Sequence, residues 1–194
     1  MQINNINKST EEDILKHFYN LNDTDRTKLL ETCYSDLKEG NTDQEIFQSL
    51  LKMVWTSNHS LLKHLSREEQ MMMFHNAGFE PPKVDIGFKI YRGFSLPKEY
   101  DVDDAMELEQ GLSWTTNKSI SLEFAQNRVT TFGSSRIPVD TSKYNCWVSS
   151  LEVVNKDFSQ DQFVAKFDDR EEDEIIFYDD GGNEGLYQGI ELLS

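Results

Sequence analysis

The Pro81-Pro82 pair divides the chain into two stretches with different hydrophobic periods. Each proline ring removes a backbone donor and restricts the residue before it, so neither a helix nor a sheet ladder runs through the pair. Before it, apolar residues recur every three to four positions; after it, the repeat moves toward two. Helices followed by strands indicate an α+β protein. The division predicts a helical N-terminal region over 1–80 and a strand-rich domain over 84–194.

The first region reads as four amphipathic helices. Ser9 or Thr10 can cap a helix over Glu11 to Asn20, with Ile14, Leu15, Phe18 and Tyr19 along one face. Asn22 to Thr24 give the second a polar start, Leu29, Leu30, Cys33, Tyr34 and Leu37 form its apolar stripe, and Gly40 supplies a left-handed stop. Thr42 opens the third, which turns Ile46, Phe47, Leu50, Leu51, Val54 and Trp55 inward. Ser66 and Glu69 have the spacing of a capping box at the start of the fourth, which ends at Gly78. Within it, Met71, Met72, Met73 and Phe74 read as core filler.

In the second region Phe88 to Arg92, Cys146 to Val154, Phe163 to Phe167 and Glu174 to Tyr178 alternate, and they are rich in the aromatic and β-branched residues of strands. Lys118 to Arg128 fits one short helix capped by Asn117, with Ile120, Phe124 and Ala125 on its buried side. Asp179 to Asn183 reads as a turn. The 194 residues suffice for one ordinary domain with a helical appendage, and twelve Phe, seven Tyr and three Trp supply the burial that a disordered chain lacks. Apolar stretches near the start are short against the roughly 20 residues of a bilayer helix. The first twenty residues also lack the layout of a secretory signal, so a cytoplasmic location without membrane attachment is expected. Cys33 and Cys146 lie far apart without a CxxC or CxxH partner and read as buried apolar side chains.

The charge is uneven. Residues 1–83 hold 9 cations and 13 anions, a net of −4, and the strand-rich remainder carries −12 of the total −16. That balance repels nucleic acid at long range, leaving solubility or attraction to a basic partner as its uses. The four histidines all precede Pro81, and His59 and His64 are five apart, which does not share a helix face as metal pairs at four do. No metal site is expected. GxGxxG, GxxxxGK[ST] and GxSxG are all missing, so Rossmann, P-loop and nucleophile-elbow chemistries have no support.

Three segments of the second region carry unusual chemistry together. Tyr91-Arg92-Gly93 sets an arginine at a strand end beside a glycine: Arg92 offers a rigid fork for a phosphate, and Gly93 permits close approach to the backbone. Gly111-Leu112-Ser113-Trp114-Thr115-Thr116 clusters hydroxyls around an indole, with Ser113 and Thr115 on one strand face, where buried hydroxyls need partners. Arg170-Glu171-Glu172-Asp173-Glu174-Ile175-Ile176-Phe177 places four consecutive carboxylates before an apolar strand, and alternation turns Glu172 and Glu174 to one side. Each segment also has a bland explanation: a surface salt bridge, ordinary capping, and a solvated acidic turn.

The order Arg, Ser-x-Thr, Glu-x-Glu resembles the R-S-E branch of the mono-ADP-ribosyltransferase superfamily. It is closest to small bacterial and prophage proteins that carry a YRG strand, a G-x-SWT segment before a helix with FA, and an R-x-E-x-E-I-I strand. The likeness covers about residues 86 to 178, with Trp114-Thr115 standing where the family has the rest of a Ser-Thr-Ser triplet. It implies an ADP-ribosyltransferase-like mixed or antiparallel β core that uses NAD as substrate and needs no metal. Glu174 would hydrogen-bond a ribose hydroxyl and stabilise the oxocarbenium-like state, while Glu172 would take the proton of the attacking nucleophile. Arg92 would hold the dinucleotide phosphate beside Gly93, and Ser113 would brace Glu174 and the nicotinamide ribose, with Trp114 and Thr115 beside it. Phe132, within Arg128 to Arg136, is the candidate aromatic of the nicotinamide loop. The resemblance also implies a protein or nucleic-acid acceptor, and a toxin, effector or phage-related defence protein with an antitoxin or regulatory partner. Two other functions remain open on the sequence: NAD hydrolysis with water as acceptor, and a catalytically silent acidic binding module that kept the fold.

Overall fold

Four helices build the first part of the chain, and their ends are fixed by short-range contacts. A computed structural model describes residues 11–108, 111–129, 136–167, 173–178 and 184–193. The chain divides into two compact units, Met1–Phe79 and Glu80–Ser194. The first contains α1 (Glu11–Tyr19), α2 (Asp23–Lys38), α3 (Gln44–Asn58), a short 3-10 turn at His59–Leu62, and α4 (Arg67–Ala77). The Asn22 side chain accepts from the Asp25 backbone N–H at 3.0 Å and caps α2, and Gly40 follows that helix with φ of 73°. Ser66 and Glu69 form the capping box of α4, which Gly78 closes in the left-handed region.

The centre of this unit is α3. Its Phe47, Leu50, Leu51 and Val54 are fully buried, as are Leu30 and Cys33 of α2 and Phe74 and Ala77 of α4 to within 1 %. Tyr34 stacks on Phe47 with ring centroids 5.3 Å apart, and Trp55 meets Phe74 edge-on at 5.0 Å. Burial pushes the Cys33 thiol up to about 12, so it behaves as a small apolar side chain. The methionine run divides: Met73 is core, whereas Met72 is 53 % exposed, because consecutive residues on a helix cannot share one face.

In the second unit the described strands form a six-stranded sheet in the order β6-β7-β2-β1-β5-β8, with every neighbouring pair antiparallel. These are β1 (Lys89–Pro97), β2 (Ser113–Thr115), β5 (Tyr144–Val153), β6 (Phe163–Phe167), β7 (Glu174–Phe177) and β8 (Leu186–Leu193). A small ladder of β3 (Asn127–Val129) and β4 (Arg136–Pro138) stands apart. The longest register joins β1 to β5, from Lys89↔Glu152 to Pro97↔Tyr144. One face of the sheet carries Ile90, Trp114, Leu151, Val153, Phe163, Ile175 and Phe177 as a continuous apolar cluster. The other receives α6 (Lys118–Gln126), whose Ala125 packs with Val139, Cys146 and Val148.

The α+β class is therefore present, with differences in detail. β1 runs on to Pro97, so Arg92 and Gly93 lie within a strand rather than at its end. α6 stops at Gln126, and Asn127 already begins β3. Beyond the 3-10 turns, the short β3–β4 ladder, α5 (Val102–Leu108) and β8 have no counterpart in the sequence reading. Of the described side chains of α5, Ala105 is fully buried while the apolar Val102 and Met106 are exposed, which leaves little apolar periodicity to read. β8 is interrupted by Gly189 and exposes Tyr187 and Leu192, which hides its alternation. No described helix is long and apolar enough to cross a membrane.

Candidate functional site

The strands β1, β2 and β7 are neighbours, and their registers bring the three segments together. Tyr91 pairs with Thr115, Thr115 with Glu174, and Ser113 with Ile176. Alternation then sets Ser113, Thr115, Glu174 and Ile176 on one face. The Ser113 hydroxyl donates to the Glu174 Oε1 across the diagonal between the two strands. Glu174 is 7 % exposed, so a carboxylate at the mouth of β7 is almost wholly enclosed and held by that hydroxyl. Asp173 introduces it with φ of 44°, a left-handed conformation that a short polar side chain tolerates better than most.

The β1–β2 ladder contains a single register pair, Tyr91↔Thr115, after which the strands part. Ser113 O, which a continued ladder would have used for backbone pairing, instead accepts from Arg92 Nη1 at 2.6 Å. The Arg92 guanidinium thus fills the fork between β1 and β2. It lies so close to Gly111 that a Cβ there would stand 1.9 Å from its Cζ. A chain of contacts results, from the Arg92 guanidinium to the Ser113 carbonyl and from the Ser113 hydroxyl to the Glu174 carboxylate.

Other expected site residues have structural employment. Trp114 is 5 % exposed within the apolar cluster, meets Phe177 edge-on at 5.9 Å, and donates its indole N–H to Gly111 O. Its ring faces the core rather than a ligand. The Thr115 hydroxyl accepts from the Asn117 backbone N–H at 3.0 Å and shapes the turn into α6. At Gly93 a Cβ would stand 1.7 Å from Ser121 O and 2.7 Å from Ala125 N, so the room a glycine leaves there is taken by α6 and not by a ligand. Glu172 and Phe132 lie outside the described residues.

The structure gives Gly111 of the hydroxyl cluster a role that its pattern does not show, room for the guanidinium, and adds a residue. Ser149, fully buried and opposite Arg92, is a polar residue on the inward side of an otherwise apolar strand face, and that exception was visible in the alternation of Cys146 to Val154. Among the described residues no group of three His, Cys, Asp or Glu could hold a metal ion. No family model, curated protein or solved structure matches the chain.

Proposed function

We propose that the second unit has an ADP-ribosyltransferase-like fold and acts as an NAD-dependent mono-ADP-ribosyltransferase, moving ADP-ribose to a macromolecular acceptor with release of nicotinamide. The observation that carries this reading is the Arg92–Ser113–Glu174 chain, in which residues from three strands, 21 and 61 positions apart in turn, meet at one fork of the sheet. The family resemblance names the same three residues in the same order.

The chemistry asks for such a site. The bond between nicotinamide and the ribose C1′ breaks with its electron pair leaving on nicotinamide, and positive charge grows on the ribose. In the ground state the positive charge sits on the nicotinamide ring, and a fixed, enclosed carboxylate beside the ribose stabilises it more once it has moved to the ribose, which is the condition for acceleration. Ser113 holds Glu174 in place in advance, so little reorganisation is left for the reaction itself. Arg92 supplies a planar guanidinium for the dinucleotide phosphates. The acceptor nucleophile then bonds to C1′ and gives up its proton, the task that the resemblance assigns to Glu172. The extension to a toxin, effector or phage-related defence protein, with a partner that restrains it, rests on the resemblance and on the harm such an activity would do in its own cell.

Incubation of the purified chain with NAD labelled in the ADP-ribose portion, alone and with a whole-cell lysate, tests this. Label on protein or nucleic acid is expected. Free ADP-ribose as the only product would make the chain an NAD glycohydrolase, and intact NAD under all conditions would leave it a binding module.

A further inference from the structure

Two side chains of β5 are buried with a polar atom that has no hydrogen-bond partner among the described residues: the Ser149 hydroxyl and the Trp147 indole N–H. Ser149 is 0 % and Trp147 4 % exposed. They are two positions apart on a strand and therefore share a face. In the β1–β5 ladder Ser149 stands directly opposite Arg92, and Trp147 opposite Phe94. On the other side β8 sets Ile190 against Ser149 and Leu192 against Trp147. The row thus gathers a guanidinium, a hydroxyl and an indole N–H among apolar neighbours, and none of these flanking side chains is an acceptor.

Buried polar atoms are ordinarily paired, and leaving one unpaired destabilises a fold. Alanine or valine at 149 and phenylalanine at 147 would occupy the same strand positions without that cost. Donors kept unpaired beside an arginine suit a ligand that brings several acceptors at once, as the oxygens of a pyrophosphate do. We infer that Ser149 and Trp147 extend the Arg92 site and donate to the pyrophosphate of a bound dinucleotide. The inference rests on the proposed function for the identity of that dinucleotide, NAD. Both atoms are closed to solvent, so binding displaces part of what covers this row.

The test uses the full-length protein and the variants Ser149→Ala and Trp147→Phe, with calorimetric titration of NAD, ADP-ribose, inorganic pyrophosphate and nicotinamide, and thermal melting without ligand. Each variant should bind NAD, ADP-ribose and pyrophosphate about tenfold or more weakly, as loss of a hydrogen bond to a charged group implies. Nicotinamide binding should not change, and the ligand-free melting temperature of Ser149→Ala should stay level or rise. A lowered melting temperature with unchanged affinities would make the hydroxyl structural and overturn the inference. If the parent binds pyrophosphate but not NAD, and the variants weaken that binding, the anion site stands and the proposed function falls. If the parent binds NAD and both variants bind it equally well, the proposed function stands and this inference falls.

Discussion

Ser113 serves the fork twice, through its carbonyl toward Arg92 and through its hydroxyl toward Glu174. The two roles respond differently to substitution, because a side-chain change leaves the carbonyl in place. Ser113→Ala therefore keeps the Arg92 contact and deprives a carboxylate that is 7 % exposed of this donor, at a cost of about 1–3 kcal/mol. Glu174→Gln keeps shape and burial while removing the charge. It should fold nearly normally yet lose about a hundredfold in the rate of nicotinamide release, roughly 3 kcal/mol of transition-state stabilisation. Urea unfolding and a nicotinamide-release assay on both variants separate the effects: stability should fall more in Ser113→Ala, and rate more in Glu174→Gln. A Glu174→Gln protein that releases nicotinamide at the parental rate would remove Glu174 from the chemistry.

At the scale of elements, α6 rests on β1 through backbone atoms. A methyl group at Gly93 would stand 1.7 Å from Ser121 O, and a helix backbone cannot step aside as a flexible side chain can. Gly93→Ala should cost about 1–3 kcal/mol or more, read as a lower urea midpoint, with the loss in the strand-rich unit. In the helical unit the Ser66 backbone N–H donates to Glu69 Oε2 at 2.7 Å and holds that carboxyl below the usual Glu range. A depressed folded value means that the contribution is present above the unfolded value and lost as pH falls through the folded one. Ser66→Ala should cost about 0.5–2 kcal/mol near neutral pH, from the cap it removes. The Ser66 hydroxyl also holds the Glu69 carboxyl down, and Ser66→Ala loses that part while keeping the backbone bond, so the gap to the parent should narrow as acid protonates Glu69; a gap that is constant down to strong acid would refute that account. These caps were legible in the sequence because donor and acceptor are three residues apart. β2, with three residues, and β8, with its Gly189 and exposed Tyr187, carry too little pattern of their own and are fixed by the strands beside them.

Across the whole molecule, the order Arg92, Ser113, Glu174 could be read from the sequence, but the meeting of those residues could not. It depends on β1 pairing with β2 and on β2 pairing with β7, and β7 is remote from β2 in the chain. The same holds for the residues that turned out to belong to the core: Trp114 looked exposed to chemistry until the neighbouring Phe177 was known. The 61-residue span between Ser113 and Glu174 has a further effect, on the order of events in time. Closing a long loop loses chain entropy before any contact returns it, so local helices and the β6–β7 hairpin are expected to form early and the β2–β7 pairing late. Stopped-flow refolding should show backbone helix signal recovering ahead of Trp114 fluorescence, followed with the other two tryptophans replaced by Phe. Simultaneous recovery would contradict that order. A chain still being synthesised cannot assemble the fork until β7 exists, so on the ribosome any activity of this site is withheld until Glu174–Phe177 has emerged and paired.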